Sequence, residues 1–295
     1  MSQEVSSVRG EATSAKATPH RRPLVLSAIP KQLLLWLAVL TVLFPAYFML
    51  VTPLKTTAAY GANKLGLPAS LYLGNFVTAL RGGRFFLWFG NSVLLVATAV
   101  LLSTAVAALA AFAFPRMQFR GRNGLLALVT SLMVVPPVVM IIPLFLFFSR
   151  LKLTSTYTSA TLVYAGLVTP FAVFLLTSFF RTIPHEIVES ALIDGASSLG
   201  ILLRIMLPLS APALITLVVV NALWVWNDLL IALVLLPNDQ MRTLMVGITV
   251  FGSRFNADVP VSLAGMLLAS IPMLALYVAG QKYFTRGLVA GALKG

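Results

Sequence analysis

Six stretches of this chain, residues 32–54, 85–115, 123–149, 153–180, 205–227 and 259–281, each run for more than twenty residues without an Asp, Glu, Lys or Arg. A helix of roughly 20 mostly apolar residues crosses a bilayer core of about 30 Å. The runs are continuous, not alternating, which is the pattern of helices and not of the ~10-residue strands of a membrane barrel. The pattern therefore predicts an all-α membrane protein with six transmembrane helices over residues 33–54, 87–114, 125–148, 159–180, 211–236 and 261–283. Pro45, Pro136, Pro137, Pro143, Pro170 and Pro272 fall inside these spans. Each removes a backbone donor and crowds the preceding turn, so kinks are expected, most of all at the Pro136-Pro137 pair.

Outside the spans lie a tail at each end and the loops between. Residues 1–30 are rich in Ser, Ala, Thr, Pro and charge and read as a disordered N-terminal tail. The first apolar run starts near Leu33 at full length, unlike the short core of a secretory signal, and reads as an uncleaved span. Residues 31–284 form the membrane domain, and 285–295 form a C-terminal tail. That tail carries Gly287, Gly291 and Gly295 at every fourth position, a spacing too glycine-rich for a stable isolated helix.

Between spans four and five, residues 181–208 carry clear helical punctuation. Pro184 suits a first helical position, and Glu186 and Glu189 place acid in the opening turns. Gly195 suits a left-handed C-terminal position, and Ser197 or Ser198 suits the cap of a second short helix. Pro208 marks the entry to span five. Ile187, Val188, Ala191 and Leu192 form an apolar stripe edged by Glu186, Glu189 and Asp194. Such a helix packs on its own bundle, lies on headgroups, or docks into a groove of another protein.

Composition sharpens this picture. The chain is 59% hydrophobic and 10% charged, with mean hydropathy +0.96, where a soluble domain carries about 25% charged residues. The net charge of +13 belongs to span-flanking residues that meet anionic headgroups, since no aromatic-plus-basic groove pattern accompanies it. With both termini cytoplasmic, the inner segments hold 13 Lys and Arg residues and the outer segments 8, the asymmetry that sets orientation. Cysteine is absent, which excludes disulfides, thiolate zinc sites and iron–sulfur clusters. No Ser–His, Cys–His or metal-ligand cluster suggests an enzyme.

Glu189-Ser-Ala, followed by Asp194-Gly195-Ala196 and later Pro208-Leu, resembles the Glu-Ala-Ala loop of permease subunits of bacterial binding-protein-dependent ABC importers, with Ser190 in place of the first Ala. The ending Arg286-Gly-Leu-Val-Ala-Gly-Ala-Leu-Lys-Gly295 and the Trp226-Asn227-Asp228 element are similar to the second, smaller permease subunit of carbohydrate importers of the maltose type. The resemblance implies the type I importer permease fold in a bacterial plasma membrane. It also implies a second permease subunit, two ATP-binding subunits and an extracytoplasmic sugar-binding protein as partners. The loop at 184–200 would couple to the ATPases through Glu186, Glu189, Ala191, Asp194 and Gly195, and Gly291, Lys294 and Gly295 would touch them from the tail. No cofactor is expected on this chain, because it lacks the phosphate-cradling Gly-x-x-x-x-Gly-Lys-Ser/Thr pattern; ATP and Mg belong to the partner subunits.

Asp228 is the only acid within a predicted span, and ionisable groups at that depth are functional suspects. Asn221, Trp224 and Asp228 fall at i, i+3 and i+7, one helix face, and with Asn227 they offer amide, carboxylate and indole to a hydroxylated solute. The competing role for Asn227 and Asp228 is hydrogen bonding between helices. A self-contained secondary transporter or channel is the alternative function. It would show several buried ionisable groups or inverted repeats, which this chain lacks.

Overall fold

A computed structural model describes residues 28–81, 84–254 and 258–292, with side-chain surroundings for 31–81, 84–249 and 258–282. In chain order the helices are α1 (Ala28–Val51), α2 (Thr57–Ala62), α3 (Gly74–Arg81), α4 (Phe85–Arg116), α5 (Arg122–Ser131), α6 (Pro137–Arg150) and α7 (Tyr157–Phe180). Then come α8 (His185–Ile193), α9 (Ser198–Ile201), α10 (Leu207–Leu209), α11 (Ala211–Asn227), α12 (Leu230–Leu235), α13 (Leu244–Arg254) and α14 (Val259–Ala292). No strand occurs among the described residues. The chain divides at Tyr47 into two units, the first carrying most of α1. In that unit Leu33, Trp36, Leu40 and Phe44 are exposed. The tail expected over 1–30 lies almost wholly outside the described residues.

Four helical segments are long and apolar enough to span a membrane: Lys31–Leu54, Phe85–Arg116, Tyr157–Phe180 and Val259–Lys282. Two bent pairs bring the number to six if each pair is one span. Arg122–Val134 meets Pro137–Arg150 at 102°, at the proline pair where the sequence predicts the strongest interruption. Val135 and Pro136 are both extended there, because a residue before proline avoids the helical region. Pro45, Pro143, Pro170 and Pro272, by contrast, lie inside helices that run on through them.

The second bent pair, Ser198–Leu209 with Ala211–Asn227 at 81°, corrects the sequence reading of the fifth span. The helical approach begins at Ser198, ahead of Pro208, and turns at Ser210. Leu202–Met206 within it is a π turn, closed by Leu207 N–H on the Leu202 carbonyl. Pro208 supplies no N–H, and the turn before it widens. The span also ends early: α11 stops at Asn227, Asp228 is extended, and α12 resumes at Leu230.

The bundle is assembled around α4 and α7. Ala99, Ser103, Ala107 and Ala111 recur at every fourth position of α4 and are fully buried. Small side chains let two backbones approach closely, which in lipid replaces the hydrophobic drive that water would supply. On α7, Ala160, Tyr164, Val168, Ala172, Leu176 and Phe180 keep the same four-residue spacing and are also buried. Hydroxyls join the two helices: Thr169 Oγ1 lies 3.2 Å from Ser103 Oγ, and Thr98 Oγ1 lies 3.0 Å from Thr161 Oγ1.

At one end of the bundle the connecting loops are pinned by side chains. Buried Lys55 donates from Nζ to the carbonyls of Asn63 and Lys64 at 3.0 and 3.1 Å, and Asn75 Nδ2 bonds the carbonyls of Pro53 and Lys55 at 2.8 and 2.7 Å. The other end carries α8 and α9.

Candidate functional site

The helix–glycine–helix segment forms as its punctuation predicts, with shifts of one residue. Pro184 is the N-cap of α8, and its missing N–H makes it a natural boundary after α7. Glu186 sits in the first turn. Gly195 has φ +79; its N–H bonds the Leu192 carbonyl at 3.0 Å, and Ala196 N–H bonds the Ala191 carbonyl at 2.9 Å. This pair of bonds is a Schellman closure around a left-handed glycine. Ser197 then caps α9, accepting from Gly200 N–H at 3.2 Å.

The apolar stripe expected on α8 splits in two. Val188 and Ala191 are buried and join a core cluster with Phe112, Phe114, Phe180, Ile201 and Leu202. Ile187 and Leu192 are exposed, and Ile193 is 86% exposed. A helix advances 100° per residue, so four apolar positions over two turns cover too wide an arc for one contact face. The Ala191 side chain, expected among the coupling residues, turns inward and fastens α8 to its own bundle. Glu186, Glu189, Asp194 and Gly195 stay exposed beside Ile187, Leu192 and Ile193. The three carboxylates form no ion pair among the described residues. A Cβ built on Gly195 would meet nothing within 4 Å, so within this chain its constraint is conformational and the space around it is open.

In the second candidate cluster Trp224 and Asp228 both meet Tyr164, while Asn221 is buried and Asn227 turns back on its own helix. Asn221 is buried, 2% exposed, and its Nδ2 has no hydrogen-bond partner among the described residues. Trp224 is 38% exposed and stands edge-on to Tyr164 with ring centroids 6.2 Å apart. Asn227 is exposed and turns back on its own helix, donating to the Leu223 carbonyl at 2.8 Å. Asp228 lies beyond the helix end. Its Oδ2 accepts from Tyr164 Oη at 2.6 Å, Ile231 N–H at 3.0 Å and Ala232 N–H at 3.2 Å. An aspartate that caps a following helix competes with continuation of the preceding one, which is why the span breaks there. Trp226 is buried and donates to the Ala269 carbonyl at 3.2 Å, so it packs against α14.

Sequence reasoning did not pick out Tyr164. Its signal was a phenol inside an uncharged, mostly apolar span, where a buried hydroxyl needs a partner. At the C-terminal end, Gly291 falls inside α14, while Lys294 and Gly295 lie outside the described residues. Residues 285–292 continue α14 and are not an isolated helix: lengthening an existing helix needs no new nucleus, so scattered glycines are tolerated.

The family model of the binding-protein-dependent transport system inner membrane component matches residues 103–289. A putative ABC transporter permease protein of Caldicellulosiruptor sp. is 39% identical over 264 residues, 88% of this chain and 96% of the relative. The arabinooligosaccharides transport system permease protein of Halalkalibacterium halodurans is 31% identical over 256 residues, 85% of this chain and 91% of the relative. Among solved structures, a bacterial ABC transporter involved in the import of the acidic polysaccharide alginate superposes with a TM-score of 0.78 at 23% identity. That match covers 91% of this chain and 100% of the other. At this identity the likeness establishes the fold, that of an ABC importer permease.

Proposed function

The chain belongs to the family of binding-protein-dependent transport system inner membrane components, and on that premise we propose that it forms half of the translocation pathway of an ATP-driven importer for a sugar or related polyhydroxylated solute. Its partners in this reading are a second permease subunit, two ATP-binding subunits that use ATP and Mg, and an extracytoplasmic sugar-binding protein. The similarity to a permease of an arabinooligosaccharide transport system supports the solute class.

The observation that carries the proposal is the construction of α8. It is fastened to the bundle by Val188 and Ala191, and it presents Ile187, Leu192 and Ile193 among three exposed carboxylates that form no ion pair among the described residues. Exposed aliphatic side chains with acids around them suit a partner's groove, with the acids setting register. Trp224 and Asn227, exposed near the end of α11, are the side chains offered to the solute. Asn221 and Asp228 act within the bundle.

Affinity purification of the tagged chain from its native membranes tests this directly. A stoichiometric ATP-hydrolysing subunit is expected alongside it. Its absence, together with uptake driven by an ion gradient alone, would replace the reading with a self-contained secondary transporter. Orientation is tested by single cysteines in a chain that has none of its own. With both termini cytoplasmic, a cysteine at exposed Asn63 is labelled by an impermeant maleimide from outside, and one at exposed Ser190 is protected. The reverse pattern would invert the topology.

A further inference from the structure

Helix α4 is fastened at both ends to segments that it does not adjoin in sequence. At its start, Trp88 Nε1 donates to the Asp239 carbonyl at 3.0 Å, and Asn91 Nδ2 donates to the carbonyls of Gln240 and Arg242, both at 2.9 Å. Ser92 Oγ accepts from Leu244 N–H at 2.8 Å, the first residue of α13. A Cβ on Gly247 would overlap the Trp88 ring, so α13 lies directly on this end of α4. These bonds hold the second half of the connection from α12 to α13, from Asp239 to Leu244.

At the other end, Arg116 is the last residue of α4. Its Nη2 donates to the Phe180 carbonyl at 2.9 Å and to the Ile183 carbonyl at 2.7 Å. The Phe180 carbonyl closes α7, and a continuing helix would bond it to the N–H of residue 184. That residue is Pro184, which has none. Arg116 therefore supplies the donor that the proline withholds, at the corner where α7 gives way to α8. The guanidinium Nε and Nη1 are buried without a hydrogen-bond partner among the described residues.

From Ser92 to Phe114 α4 contains neither Gly nor Pro, and its one internal proline, Pro115, stands in the last turn beside Arg116. α1, α6, α7 and α14 carry their internal prolines further from the C-terminal end, at Pro45, Pro143, Pro170 and Pro272, and the two bent pairs break outright. At 1.5 Å per residue, the 32 residues of α4 span about 48 Å, longer than the bilayer core is thick.

We infer that α4 is the strut that transmits movement between the two faces of the membrane. Asn91, Ser92 and Trp88 grip the far loop, and Arg116 is the positioning residue that holds the α7–α8 corner. This rests on the reading of α8 as the ATPase-docking helix. A loop displaced by a docked binding protein would then shift α8 through one stiff, internally hydrogen-bonded element. That is the physical requirement for coupling between distant sites.

The test uses the whole complex in proteoliposomes, with and without the binding protein. The readouts are the ratio of stimulated to basal ATP hydrolysis and the solute transported per ATP. Arg116→Ala and Asn91→Ala are each expected to lower the ratio by about threefold or more, with copurified ATPase unchanged, and Arg116→Lys to recover part of the loss. Because both act through one helix, the double variant should be no worse than the poorer single one. Softening the strut at two exposed positions, Leu101→Gly with Ala105→Gly, should also lower the ratio without touching either fastening. That variant decides the matter if Arg116→Ala does not assemble. Gly195→Asp is run alongside. If it leaves stimulation intact, the docking reading of α8 fails. If it abolishes stimulation while the α4 variants keep wild-type ratios, or if the double variant is simply additive, the strut alone is overturned.

Discussion

At the break after α11 the polar groups are used up inside the chain, whereas along α8 they are left over. Asp228 spends one carboxylate oxygen on a phenol and two backbone N–H groups. On α8, Glu186, Glu189 and Asp194 stay exposed, and Ile193 projects almost wholly free of its own chain. Both regions interrupt an apolar bundle with acid, and sequence alone gives both the look of a functional site. A carboxylate already holding three donors is set to fix geometry, while an anchored helix with unspent groups is set to meet a partner.

The sharpest way to break this contrast is Gly195→Asp. A residue with a Cβ held at φ +79 costs about 1–2 kcal/mol, but nothing in the chain lies within 4 Å of the added atom. Insertion and bundle folding should therefore change little. The added bulk and charge beside Asp194 should weaken ATPase association by about 2 kcal/mol, roughly 30-fold. Copurified ATPase and binding-protein-stimulated hydrolysis measure it. Wild-type values of both would reduce Gly195 to a dispensable cap and α8 to an ordinary connector.

The Asp228 region should respond in the opposite order, stability first. Tyr164→Phe removes one hydrogen bond to a charged group from a side chain with no exposure, worth about 1.5–3 kcal/mol. Asp228→Ala adds the loss of the α12 cap, about 0.5–2 kcal/mol more. Both should lower the thermal midpoint of the detergent-solubilised protein. Asp228→Asn keeps the volume and an acceptor oxygen and should fall between them and wild type. Altered uptake kinetics in Asp228→Asn at unchanged stability would return the carboxylate to the solute pathway.

How much of this was legible follows from the range of the interactions involved. The spans and the Pro136-Pro137 break were readable because lipid demands long apolar runs and proline acts on its neighbours. The closure at Gly195 and the cap at Ser197 were readable because both are bonds within a few residues. The early end of α11 was not: it depends on Asp228 meeting Tyr164, 64 residues away. The split of the α8 stripe was hidden for a related reason. Val188 and Ile187 are both aliphatic, and only the packed positions of Phe112 and Leu202 decide which one turns inward. Arg116 passed for one more basic residue at the end of a span, because its acceptors lie 64 and 67 residues further along.

The smallest effect is expected at the chain's end. α14 carries helical structure through Gly291 to Ala292, so deleting residues 287–295 shortens an existing helix without disturbing Val259–Lys282, the segment long and apolar enough to cross a membrane. Assembly should survive. If Lys294 works through one ion pair with the ATPases, its loss is worth up to about 1 kcal/mol, or about fivefold at most. Transport per ATP hydrolysed, compared between full-length and truncated complexes in proteoliposomes, measures that loss. A drop within this range, smaller than that of Gly195→Asp, would rank the two contacts as the contrast demands, with α8 the principal site and the tail an auxiliary one. Equal ratios would leave α8 as the chain's sole proposed hold on its ATPases. A drop exceeding that of Gly195→Asp would reverse the ranking and move the main coupling contact to the end of α14.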